Sequence, residues 1–170
     1  AIQIEDTQLE GPFLSSFTPF PNLFRGVVNI QGNFDLKGQK LDTGNLLITS
    51  KNFIIPAQMI MGINLSQIAF KKLEFAGTYT KKAFHLKAMR LGDTSSPIQG
   101  EFTGKIYPSM QNLNYSRLDL EGRVKFSSAF LNEVGLLRIM LNGKKKKDGH
   151  YYIKLGGTLA VPKPTFIDPT

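Results

Sequence analysis

The sequence predicts a mainly β protein: a single strongly curved, mostly antiparallel sheet, half-barrel or β-taco-like, with one short helix near residues 128–141. Three observations predict it. From Arg25 onward apolar and polar residues alternate with a period of two; clusters of turn-forming residues interrupt the alternation; and glycines recur on the apolar side of the strands.

Taken in chain order, the first two dozen residues set Pro12, Pro19 and Pro21 among Phe13, Phe17, Phe20 and Phe24 without a steady period. Residues 1–24 are therefore expected to form an extended arm whose phenylalanines dock on a body of residues 25–170. Strands are expected over 26–37, 45–55, 68–80, 83–91, 98–107, 115–127 and 151–161, separated by the turn chemistry of "KGQKLDTGN", "TKK", "GDTSSP" and "PSMQN".

The segment "SSAFLNEVGLLRIMLNG" breaks the period. Ser127 or Ser128 can cap a helix there, and Phe130, Leu131, Val134, Leu137, Ile139 and Leu141 follow a broad helical stripe that ends near Gly143. Such a helix is apolar on more than one side. It would close one end of the β core or lie as a lid over an apolar cavity.

In "RLDLEGRVKF", Leu118, Leu120, Val124 and Phe126 share one face, and Gly122 sits in the middle of it. A glycine there costs about 0.5–1 kcal/mol relative to alanine. The same arrangement of apolar, any, glycine, any, apolar places Gly32, Gly77, Gly100 and Gly157 on the apolar faces of other strands, with Gly104 extending the third. Inward glycines are a means of bending a sheet sharply, which makes curvature their expected common cause. The alternative is that they make room for aromatic rings on neighbouring strands. In both cases the outer face is charged and the inner face apolar, and the trough is either filled or left partly open as a groove lined by Phe34, Leu36, Phe102, Ile106, Val124, Phe126 and Leu159.

Composition narrows the function. With 170 residues, 41% apolar, the chain can bury a core without metal or disulfide staples, and it contains no cysteine. A formal charge of +8 favours anionic partners. Much of that excess is the run Lys144, Lys145, Lys146 and Lys147, either a solvated loop tip or a contact for an anionic membrane surface. The opening "AIQIEDTQLEGPF" has neither the basic nor the apolar region of a signal peptide. The longest apolar stretch, 53–70, is broken by Pro56, Gln58, Asn64 and Gln67, which makes it a poor membrane span.

No catalytic set is legible. His85 and His150 are the only histidines, and no hydrolase, P-loop, dinucleotide or metalloprotease motif occurs. Asp119 and Glu121 share a face with Arg117, Arg123 and Lys125, which fits cross-strand ion pairs better than a general acid and base. The aromatic residues lie inward and the lysine run lacks interleaved rings, so the basic charge does not fit nucleic acid. Neither a metal nor a cofactor is expected.

The order of features is distinctive. "LDTGNLLITSKNFIIPAQMIMGINLSQIAFKKLEFAGTY", "MRLGDTSSPIQGEFTGKIY", "SRLDLEGRVKFSSAFLNEVGLLRIML" and "DGHYYIKLGGTLAVPKPTF" together resemble the carboxy-terminal periplasmic part of the type II secretion system protein N family, over roughly residues 26–166. The ending is the most specific piece: Asp148-Gly149-His150-Tyr151-Tyr152, then Gly156-Gly157-Thr158-Leu159 and Pro162. The family also looks related to AsmA-like repeat β proteins, whose curved sheets enclose apolar grooves associated with lipid transport. The resemblance implies a non-enzymatic periplasmic accessory of secretion, tethered to the inner membrane by a segment outside this chain, with secretion-system envelope proteins as partners. The alternative it implies is a lipid-binding or lipid-transfer protein that takes phospholipid in the groove.

Overall fold

The computed structural model describes residues 2–8, 25–38, 40–60, 63–109 and 111–169. Twelve strands follow in order: β1 (Ile2–Gln8), β2 (Arg25–Lys37), β3 (Lys40–Ile55), β4 (Gln58–Ile60), β5 (Ile63–Leu65), β6 (Ile68–Phe70), β7 (Leu73–Thr80), β8 (Ala83–Leu91), β9 (Ile98–Tyr107), β10 (Arg117–Phe126), β11 (Tyr151–Gly157) and β12 (Pro162–Phe166). Between β10 and β11 stand two short helices, α1 (Ser128–Glu133) and α2 (Gly135–Met140). One sheet takes nine of the strands in chain order, β1-β2-β3-β7-β8-β9-β10-β11-β12, with β6 beside β3 and β4–β5 as a separate hairpin. Every pairing is antiparallel, and the sheet is not closed into a barrel.

Local chemistry sets the turns of this meander. In "GDTSSP" the Asp93 carboxylate accepts the backbone N–H of Ser95 at 2.9 Å and the Ser95 hydroxyl at 2.7 Å, folding the chain between β8 and β9. In "TKK" the turn places Lys81 at φ 54°, and the Lys81 N–H reaches back to the Asp42 carbonyl at 3.0 Å.

Several elements differ from the sequence expectation for identifiable reasons. The strand expected over 68–80 is two strands, because β3 is long and bends at Asn52, which has φ 64°. Before the bend β3 pairs with β7, and beyond it Phe53–Ile55 pair with β6. The strand expected over 151–161 ends at Gly157, which has φ 79°; Thr158 still bridges Arg117, and the chain reverses in the turn that the Thr158 N–H closes on the Val161 carbonyl, returning as β12. Of the expected arm, Ile2–Gln8 form β1 on β2, while residues 9–24, with all four of its phenylalanines among 13–24, lie outside the described residues.

The single helix expected near 128–141 is broken at Val134, which adopts φ −101° and ψ 68°. Ser127 caps α1, its hydroxyl accepting the Phe130 N–H at 3.2 Å. The break lets Phe130 and Val134 both reach the cluster of Phe53, Ile68 and Phe70, with Leu137 against its margin. This cluster seals one end of the sheet. A second, around Leu86, Leu118 and Leu120, lies on the apolar face of the central strands and is packed by Phe75, Phe84, Met89, Phe102, Ile106 and Leu155.

Candidate functional site

Strand register aligns the inward residues into rows that run across the sheet. One row reads Ile30, Ile48, Phe75, Met89, Phe102, Gly122, Ile153 and Phe166, from β2 to β12 without a charge. The next reads Gly32, Leu46, Gly77, Leu86, Gly104, Leu120 and Leu155. Glycine and leucine thus alternate from strand to strand between β2 and β10. Small positions beside large ones let the large side chains settle against the backbone, which is how a tightly bent layer fills its concave side.

What the glycines do is visible at each site. A Cβ at Gly32 would lie 2.7 Å from Phe34 Cε2, and one at Gly77 would lie 2.5 Å from Phe84 Cζ. A Cβ at Gly122 would collide with the Glu101 carbonyl and with the Phe102 ring, whose Cγ would be 2.7 Å away. Gly100 meets the same ring at 3.3 Å. Room for aromatic rings is therefore the immediate role of Gly32, Gly77, Gly100 and Gly122. Bending belongs to Gly104 and Gly157, with φ 136° and 79°, and to bulges. Lys87 is the extra residue of β8, skipped in its ladders with both β7 and β9, so the strand kinks beside Gly77 and Gly104. Gly44, opposite Phe34 across the β2–β3 ladder, seats that ring too; its place opposite a phenylalanine is a signal that exists only once register is known.

The residues expected to line a groove separate into two groups. Phe102 and Ile106 pack on the Leu86, Leu118 and Leu120 cluster, Val124 is buried, and Phe126 stacks on Phe130 with centroids 6.0 Å apart. These four are core, so the trough is filled along the central strands. Phe34 and Leu36, 36% and 68% exposed, lie toward the β2–β3 turn and leave that margin of the face accessible. Leu159 falls beyond the end of β11, in the turn closed by the Thr158 N–H on the Val161 carbonyl, where its own N–H bonds to the Ser116 carbonyl; it is not among the residues packed on the Leu86, Leu118 and Leu120 cluster.

The opposite face is polar and organised. Glu74, Arg90, Glu101, Arg123 and Tyr152 are cross-strand neighbours from β7 to β11. Arg90 Nη1 meets Glu74 at 2.8 Å, Arg90 Nε meets Glu101 at 3.2 Å and Arg123 Nη2 meets Glu101 at 3.0 Å. Lys154 binds Glu121 at 3.1 Å and Asp119 at 3.4 Å, so these two carboxylates are ion-paired as their surroundings suggested. The Tyr152 hydroxyl donates to Asp148 at 2.8 Å, and the His150 N–H donates to the same carboxylate at 3.1 Å. This gives the Asp148-Gly149-His150-Tyr151-Tyr152 stretch a local structural role. Among the described residues no group of histidine and carboxylate side chains could hold a metal ion.

Hydrogen bonds from Arg123 and then Arg90 hold the Glu101 carboxyl below the usual glutamate range. A lowered folded pKa stabilises above the ordinary value, about 4.3, and that contribution disappears as pH falls through the lower folded value. Because the Glu101 side chain is 38% exposed, solvent limits the gain. Glu101→Gln is expected to cost about 0.5–1 kcal/mol at neutral pH and progressively less as the pH falls through the acid range, checked by urea denaturation across a pH series.

The lysine run does not act as one unit. Lys146 is tied to Asp168, and Lys144 Nζ sits 5.9 Å from the centre of the Phe166 ring, while Lys145 and Lys147 extend exposed from the turn between Gly143 and Gly149. At the β12 border the Ile167 N–H points back to the Tyr152 carbonyl, so alternation turns the backbone polar groups of Pro162, Pro164 and Phe166 toward the free edge of the sheet. Two of these three have no N–H to offer, which blunts this edge against an added strand.

No family model matches the chain, and neither a curated protein nor a solved structure matches it.

Proposed function

We propose that this chain is a non-enzymatic periplasmic accessory of a bacterial type II secretion system, an interaction module that binds other envelope components of the apparatus. The resemblance in motif order suggests the system. The observation that carries the binding reading is the open sheet: one face is apolar across eight strands, and among the described residues α1 and α2 pack at one end of it only. An apolar layer whose margin stays accessible favours binding over catalysis, and the polar face carries a run of ion pairs from Glu74 to Lys154. With the β12 edge blunted by prolines, the accessible margin around Phe34 and Leu36 is the better docking place. A photo-crosslinker at Leu36 in envelope extracts is expected to capture a secretion-system component that the same crosslinker at Lys51 does not. Equal capture at both positions, or capture of no such component, would count against the assignment.

A second reading, phospholipid held on the apolar face, draws on the absence of charge along the row from Ile30 to Phe166. The filled centre around Leu86, Leu118 and Leu120 limits it to the margins. Native mass spectrometry of protein purified without detergent exchange discriminates: a bound phospholipid supports it, and a clean apo mass removes it.

A further inference from the structure

The helical segment carries two apolar stripes. The inner one, Val134, Leu137 and Leu141, packs inward. The other consists of Leu136, Ile139 and Met140, which are 54%, 72% and 62% exposed. Their i, i+3, i+4 spacing puts them on one face of α2. Ile139, counted in the inward stripe from the sequence, faces outward because it lies two residues, about 200°, from Leu137 on the same helix. A helix that is apolar on all sides is normally enclosed, and this one leaves three large aliphatic side chains in water.

Basic chemistry stands beside them. Lys145 and Lys147 extend from the next turn, and Arg138 leaves the flank of α2, donating to Asn132 Oδ1 at 3.2 Å. A cleft of about 390 Å³ opens between α1, α2 and that turn, lined by Ser128, Asn132, Arg138, Asn142 and Lys145 among others, with no carboxylate among its described lining residues. Glu133, exposed at the end of α1, is the acidic residue nearest in sequence, and Asp148 is engaged by His150 and Tyr152.

We propose that this corner docks on an anionic phospholipid bilayer. Leu136, Ile139 and Met140 enter the boundary between headgroups and acyl chains, Lys145 and Lys147 lie among the headgroups, and the cleft beside Arg138 accepts a lipid phosphate. Two features favour a bilayer over another occupant. A second copy seated here would bring Lys145 and Lys147 against their equivalents. A six-residue helix with three exposed aliphatic side chains falls well short of the roughly 800 Å² per partner of a stable protein interface, whereas membrane partition sums small independent terms. The inference stands apart from the secretion assignment.

The test is co-sedimentation of the 170-residue chain with vesicles of phosphatidylcholine alone and with about one-third phosphatidylglycerol. Binding to the anionic vesicles that weakens in high salt is expected, with little to the neutral ones. Lys145→Gln with Lys147→Gln should weaken it about 30-fold, two basic contacts at about 1 kcal/mol each. The matched control, Lys51→Gln with Lys87→Gln, removes the same charge from exposed strand positions and should change it less than threefold. Ile139→Ser with Met140→Ser should weaken it at least tenfold while leaving the melting temperature unchanged. Absence of preference for anionic vesicles, an equal loss in the control pair, or full displacement by inorganic phosphate at an ionic strength where chloride leaves binding intact would overturn the proposal. So would capture of an acidic protein with no vesicle binding.

Discussion

Gly122→Ala is expected to cost about 3 kcal/mol of folding stability, an unusually large penalty for adding one methyl group. The added carbon meets the Glu101 carbonyl and the Phe102 ring from the neighbouring strand. Glu101 belongs to the β9–β10 ladder, paired from Arg117↔Tyr107 to Phe126↔Ile98, and its side chain is held by two arginines. The carbonyl cannot retreat without breaking that ladder, and the ring cannot tilt without disturbing its contacts with the Leu86, Leu118 and Leu120 cluster. Gly156→Ala supplies the comparison. Nothing lies within 4 Å of a Cβ there, so the same change is expected to be neutral or to stabilise by about 0.5 kcal/mol through the unfolded chain. Urea denaturation of both variants checks the contrast; equal effects would mean that strand glycine acts here only through conformational entropy.

Phe70→Ala is expected to cost about 3–5 kcal/mol, the range for truncating a fully buried phenylalanine. Phe70 is 1% exposed and stands in β6, a three-residue strand with few backbone bonds of its own. Its ring lies 6.1 Å from that of Phe53, and the cluster it anchors includes Phe130 and Val134 from the helical segment. Losing the ring should therefore loosen β6, α1 and the break at Val134 together. Faster amide exchange at Val134 and Leu131, while the β9–β10 ladder remains protected, is the expected pattern. Uniform acceleration would mean that the end cluster and the sheet unfold as one unit.

How legible these features were depends on whether local pattern or register decided them. β8 and β9 begin and end where alternation places them, because each is flanked by turn residues and both pair along their length. The boundaries of β6 and β7 were set by the bend at Asn52 in a strand distant in sequence, and that of β11 by the turn over 158–161 inside what alternation read as strand. The glycines were recognisable as an inward set, but their effect was not. Only register puts Gly122 opposite Phe102 and Gly44 opposite Phe34, converting missing side chains into seats for rings. Likewise, alternation identified Phe102, Ile106, Val124 and Phe126 as inward residues, but whether inward meant enclosed depended on how densely the central strands pack. The exposed stripe of α2 was concealed by drawing one broad apolar stripe, which merged Ile139 with Leu137 although residues two apart on a helix face opposite sides.

The most direct measurement is a nuclear Overhauser spectrum recorded on protein labelled at glycine and phenylalanine. Contacts from the Phe102 ring protons to the Gly122 α-protons, from Phe84 to Gly77 and from Phe34 to Gly44, with those α-protons shifted upfield by the overlying rings, are the predicted result. Glycine α-protons at ordinary shifts with no ring contacts would contradict it, and would leave the apolar face without the packing that closes its centre.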